Sequence, residues 1–149
     1  VFKKALLLTC EDLAKEIARD GEGATKLIEA QVQGAKNNLD ANVIAKKIVG
    51  SNLVKTAVYG TDANWGRIIG AIGHSAAQVT AEEVEVYLGG QCLFKNNEPQ
   101  PFSESIAKEY LEGDEITIVI KMDEGDGNGR AWGCDLTYDY IKINASYRT

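Results

Sequence analysis

Apolar residues along this chain switch repeatedly between a helical repeat and a strand repeat, and a sequence that carries both must pack helices against sheet. Phe2, Leu6, Cys10, Leu13 and Ile17 recur at helical spacing, with Lys3, Lys4, Glu11 and Lys15 falling elsewhere. That predicts an amphipathic helix ending near Asp20-Gly21. Residues 26–33 then alternate: Ile28, Ala30 and Val32 share one face of a strand, and Leu27, Glu29, Gln31 and Gln33 share the other. A second helix is expected over 39–49, with Leu39, Val43, Ile44 and Ile48 inward and Gly50 as its stop. Residues 53–59 read as a strand, and Asp62 as the cap of a helix containing Trp65, Ile68, Ile69 and Ile72. Val84, Val86 and Leu88 alternate in another strand, and Gly89-Gly90 permits a tight reversal into 92–94. Ser103 is placed to cap a helix through Leu111, closed by Gly113. Ile116, Ile118, Ile120 and Met122 mark a strong strand, and Trp132, Cys134 and Leu136 alternate again. Thr137 can cap a last short helix carrying Tyr140, Ile143 and Asn144, with a strand as the alternative. The expected fold class is layered α/β, with helices packed on mixed sheets.

Composition narrows what such a fold is for. At 149 residues the chain can bury a core as one ordinary domain or two small ones. A net charge of -6, with basic residues scattered among acidic ones, disfavours a nucleic-acid partner, which needs clustered Lys and Arg. No apolar run approaches the roughly 20 residues that cross a bilayer, and the apolar stretch 5–8 is too short for a signal peptide. Cys10, Cys92 and Cys134 are odd in number and widely spaced. They suit reduced, buried thiols of a cytoplasmic protein better than a disulfide framework. With His74 the one histidine, a zinc site of ordinary spacing is not expected.

Several short motifs bear on chemistry. In Asp20-Gly21-Glu22-Gly23-Ala24-Thr25-Lys26, two glycines flank a carboxylate at a helix-to-strand junction. Glycines there tolerate unusual backbone angles and let another group approach. Glu22 is either a solvated acidic turn or an acceptor for a substrate ammonium. The motif is not a phosphate loop, because the GxxxxGK[ST] spacing is missing and the order is helix then strand. Asp62-Ala63-Asn64-Trp65-Gly66-Arg67 reads as a helix N-terminus, or as a turn bordering a site or a partner interface. Residues 123–129 are acidic and glycine-rich, but no frame satisfies a calcium-loop pattern, so a flexible hairpin connection is expected.

These motifs, read with the terminal run from Trp132-Gly133-Cys134-Asp135-Leu136-Thr137-Tyr138-Asp139-Tyr140 to Thr149, carry a family resemblance. The chain resembles the ornithine acetyltransferases, also called glutamate N-acetyltransferases, of arginine biosynthesis. It is most specific in DGEGATK, NWGRI and the last eighteen residues. Such enzymes cut themselves into an α and a β chain, and the new N-terminal threonine of the β chain is the nucleophile. The resemblance implies that this chain is the C-terminal part of a β chain, without that threonine. Thr25 belongs to the glutamate motif and is not assigned as nucleophile. Residues 1–59 are then expected to be a helix-strand-helix-strand segment completing a fold begun upstream, and 60–149 a C-terminal α/β domain, with a single domain as the alternative. The implied reaction moves an acetyl group from N-acetylornithine to glutamate through an acetyl-threonine intermediate. Glu22, Asn144 and Thr149 are the implied substrate-binding residues, with no catalytic residue in this chain. No metal or cofactor is implied, and acetyl-coenzyme A stays open as a second acetyl donor. The implied partner is the upstream α chain, in a cytoplasmic α/β hetero-oligomer such as a heterotetramer. The alternatives are a related self-cleaving amidohydrolase or aminopeptidase, and a non-catalytic stabilising subunit.

Overall fold

The computed structural model describes residues 1–147. In chain order the elements are α1 (Phe2–Arg19), β1 (Leu27–Ala35), α2 (Asn38–Val49), α3 (Asn52–Tyr59) and α4 (Trp65–Gly73). Then come β2 (Glu85–Leu88), β3 (Gln91–Lys95), β4 (Glu98–Pro99), α5 (Glu104–Leu111), β5 (Glu115–Lys121), β6 (Gly127–Cys134) and α6 (Tyr138–Ser146). The strands form one mixed sheet in the order β4-β3-β2-β5-β1-β6, so the α/β class expected from the two apolar rhythms is what forms.

Register explains the core. β1 runs parallel to β5, which aligns Ile28 with Ile116, Ala30 with Ile118 and Val32 with Ile120. β2 runs antiparallel to β5 and adds Val86 and Leu88 beside Ile120 and Ile118. With a side-chain period of two, these residues all fall on one face. Ala41, Ile44, Ala45 and Ile48 of α2, Val54 and Val58 of α3, and Ile68 and Ile72 of α4 join them in a single cluster. β1 lies between β5 and β6, so strands on both sides of residue 59 share one sheet and one core.

The opposite face is polar: Glu29 pairs across the sheet with Trp132, and Gln31 with Arg130. There α1 leans on β6, with Arg130 bonded to Glu11 and Lys15 over the Trp132 ring at 5.6 Å. No residue of α1 is buried, and its apolar positions stay open, from Phe2 at 81% exposure to Ile17 at 76%. Among the described residues no helix is long and apolar enough to cross a membrane.

Several local expectations are corrected. Residues 53–59 form a helix, not a strand. Ser51 caps α3 by accepting from the Val54 amide, and Val54, Ala57 and Val58 bury one helical face. The β-branched valines mimic a strand in the sequence, but their spacing of three and four fits α3. Asn64 rather than Asp62 caps α4, accepting from the Arg67 amide at 3.0 Å, while Asp62 accepts from the Asn64 side chain. In α2, Leu39 is 73% exposed, and the inward face is Ala41, Ile44, Ala45 and Ile48. The cause is close packing: a Cβ on Gly129 of β6 would lie 2.6 Å from the Ala41 carbonyl carbon, which favours alanine on that face. Cys10 is exposed, not buried, because α1 covers so little of the sheet. Residues 122–126 do not close a hairpin, since β1 separates β5 from β6. The loop instead crosses the end of β1, where the Met122 amide donates to Gln33 and the Glu124 amide to Gly34.

Candidate functional site

The loop between α1 and β1 is short, and its two glycines give it no side-chain packing of its own. Asp20 caps α1, and the Ala24 amide donates to the Gly21 carbonyl, 3.0 Å away, to make a tight turn that puts Glu22 at its tip. Gly23 has φ +66, in the left-handed region that favours glycine. A Cβ there would lie 2.7 Å from the backbone nitrogen of Tyr140, so the first turn of α6 sits directly on Gly23.

Two of the three residues between β6 and α6, Asp135 and Thr137, hold this loop. The Asp135 carboxylate is 3% exposed. It accepts from the Thr25 amide at 2.8 Å, from the Lys26 amide at 3.0 Å and from the Thr25 hydroxyl. The Asp135 amide returns a bond to the Lys26 carbonyl at 3.2 Å. Leu136 donates its amide to the Lys55 carbonyl in α3. Thr137, 4% exposed, donates its hydroxyl to the Gly23 carbonyl at 2.7 Å and accepts from the Tyr140 amide at 3.2 Å, which caps α6.

Lys26 reaches the other way. Its ammonium donates to the Leu111 carbonyl at 2.6 Å and the Val58 carbonyl at 3.0 Å, near the C-terminal ends of α5 and α3. Helix C-termini leave such carbonyls unpaired and carry partial negative charge, so a cation suits both. Desolvation lowers the Lys26 pKa from its ordinary value, against the raising influence of Asp135 and Glu112.

α6 then delivers Asn144 to the tip of the loop. The Asn144 side-chain nitrogen donates to the Glu22 carboxylate at 3.0 Å and to the Tyr140 carbonyl at 2.9 Å. Both amide hydrogens are thus engaged, and Asn144 has its side-chain oxygen left to offer. With the remaining lone pairs of Glu22, the pair presents acceptors, the chemistry that receives an ammonium group. Both side chains are exposed.

Of the three site residues expected from the sequence, the structure brings Glu22 and Asn144 together, while Thr149 lies outside the described residues. The Asn64–Arg67 segment lies elsewhere, lining a cleft of about 400 Å³ with Lys47, Ser51 and His74. Asp135 was missed because it falls on the polar phase of the alternation of Trp132, Cys134 and Leu136, one residue past β6, where a carboxylate reads as solvated. Thr137 was legible only as a cap, because its bond to Gly23 depends on tertiary contact. Among the described residues, no group of three or more His, Cys, Asp or Glu is placed to hold a metal.

Comparison with known proteins places these residues in context. A family model described as ArgJ family matches residues 1–149. The arginine biosynthesis bifunctional protein ArgJ of Bacillus subtilis (strain 168) is 99% identical over all 149 residues, which are 37% of that protein. Its counterpart from Geobacillus stearothermophilus is 64% identical over 148 residues, covering 99% of this chain and 36% of that protein. A crystal structure of arginine biosynthesis bifunctional protein argJ from Bacillus halodurans matches with a TM-score of 0.95 at 58% identity. The match covers 98% of this chain and 69% of that one. The chain therefore spans a little over a third of the curated relatives it matches.

Proposed function

This chain belongs to the ArgJ family, and from that membership we propose that it is the C-terminal part of the β chain of an acetyltransferase that moves acetyl from N-acetylornithine to glutamate. The observation that supports a substrate-binding role is the meeting of Glu22 and Asn144, which are 122 residues apart, in one hydrogen bond. The relatives' name assigns them to arginine biosynthesis, where this transfer belongs.

In the proposed reaction, the hydroxyl of a threonine outside this chain attacks the acetyl carbonyl while that residue's own α-amine takes the proton. The carbon–nitrogen bond breaks, the departing nitrogen is protonated, and ornithine leaves. The amine of glutamate then attacks the threonine ester, the threonine oxygen departs and recovers a proton, and N-acetylglutamate is released. Residues of the other chain stabilise the developing oxyanion. This segment recognises the amino acid. Glu22 accepts from an ammonium group, Asn144 offers its oxygen beside it, and Thr149 completes the set. The transfer needs no metal or cofactor. The word bifunctional in the relatives' name favours a second activity, acetylation of glutamate from acetyl-coenzyme A. The working form is a cytoplasmic hetero-oligomer with the upstream α chain.

Isotopically labelled glutamate tests the reading. The assembled protein, given N-acetylornithine, is expected to yield labelled N-acetylglutamate and free ornithine. Acetate release without labelled product would reject the transferase in favour of the hydrolase. Equal loss of assembly and activity in Glu22→Ala would favour a stabilising subunit.

A further inference from the structure

Asp135 and Thr137 are the two buried polar side chains among the described residues, and both bind the loop that carries Glu22. Burying a carboxylate or hydroxyl is unfavourable unless hydrogen bonds replace those lost to water. Here the bonds are replaced in full view of one purpose. Asp135 gathers three donors from Thr25 and Lys26, at the root of the loop. The Thr137 hydroxyl bridges Gly23, next to Glu22, and the Tyr140 amide, in the first turn of the helix that carries Asn144. One oxygen atom therefore ties the two halves of the candidate site together.

The tie has work to do. Glu22 is exposed and flanked by glycines, so an unrestrained loop would sample many backbone states. Asn144 stands near the exposed end of α6, a helix that buries none of its own side chains. Ordering both when substrate arrives would subtract from binding, whereas a loop and helix already joined give a preformed pair of acceptors.

We propose that Asp135 and Thr137 are positioning residues that set the spacing of Glu22 and Asn144 and so determine affinity for the amino-acid substrate. The proposal rests on the reading of Glu22 and Asn144 as substrate-binding residues.

The test uses the full-length, assembled protein with N-acetylornithine and glutamate. Thr137→Val keeps the shape and removes the hydroxyl, and Thr137→Ser restores it. Thr137→Val is expected to raise KM for both substrates about tenfold, the equivalent of one well-made hydrogen bond, with kcat changed far less. Thr137→Ser is expected to return KM to near the parent value. In a Glu22→Gln background, Thr137→Val is expected to add little, because the residue it positions is already impaired. Lower melting temperature with unchanged KM would overturn the proposal, as would an undiminished effect of Thr137→Val in the Glu22→Gln background. If Thr137→Val does not fold, Asp135→Asn, which keeps an acceptor for the two amides, decides by the same criteria. Should Glu22→Gln alone leave KM unchanged, the underlying site reading fails. Should Glu22→Gln raise KM while neither positioning variant does, only this proposal fails.

Discussion

At the scale of single residues, the site depends on who donates to whom. Asn144 donates both amide hydrogens within the protein, so what it and Glu22 show to solvent is acceptor capacity. Glu22→Gln keeps size and a possible bond to Asn144 but removes the charge that favours an ammonium. The expected cost is about 1.5–3 kcal/mol in substrate binding, the range for charged hydrogen bonds, read as a higher KM. Because Glu22 is exposed, the melting temperature should barely move. A lower melting temperature with intact kinetics would make Glu22 a turn residue instead. The glutamate and its glycines were legible in the sequence as a motif. Its meeting with Asn144 was implied only by the family resemblance, since nothing local links residues so far apart in the chain.

At the scale of elements, α1 is the unfinished piece. An amphipathic helix is stabilised by burying its apolar face, yet Leu13 and Ile17 remain open here. The proposed assembly supplies the missing surface. Leu13→Glu and Ile17→Glu should therefore leave the melting temperature of this segment alone nearly unchanged while destabilising the assembled protein. Equal effects in both, measured by thermal melts, would sink that account. The outer face of β2 offers a pH test. A hydrogen bond from Lys95, at 2.8 Å, and then one from Tyr87 hold the Glu85 pKa below its ordinary 4.5. The same bond to Glu85, with burial, pushes the Tyr87 hydroxyl upward. A depressed carboxylate stabilises the fold above its unfolded pKa and loses that contribution as pH falls through the lower, folded value. Both partners are partly solvated, so Lys95→Met should cost little at neutral pH. Urea unfolding should show the difference between parent and variant closing as Glu85 is protonated, below its ordinary 4.5. A gap that persists in acid would mean that Lys95 acts through packing.

At the scale of the whole molecule, this segment by itself should turn over no N-acetylornithine, since the proposed nucleophile lies outside it. Free ornithine produced by the purified segment would overturn that assignment. What the sequence determined alone was the alternation of helix and strand, and with it the α/β class, the inward faces of β1, β2 and β5, and the caps at Ser103 and Thr137. These follow from side-chain period and from local bonds between near neighbours. It also held the family resemblance, carried by DGEGATK, NWGRI and the last eighteen residues. Tertiary structure decided the rest. The valines of α3 bury a helical face in the core cluster, and Leu39 turns outward because α2 packs with Ala41 against Gly129 of β6. It also decided that β1 lies between β5 and β6, which brings the root of the Glu22 loop beside Asp135 and Thr137. Strand order and burial of a lone carboxylate depend on contacts across more than a hundred residues, and no local pattern encodes them.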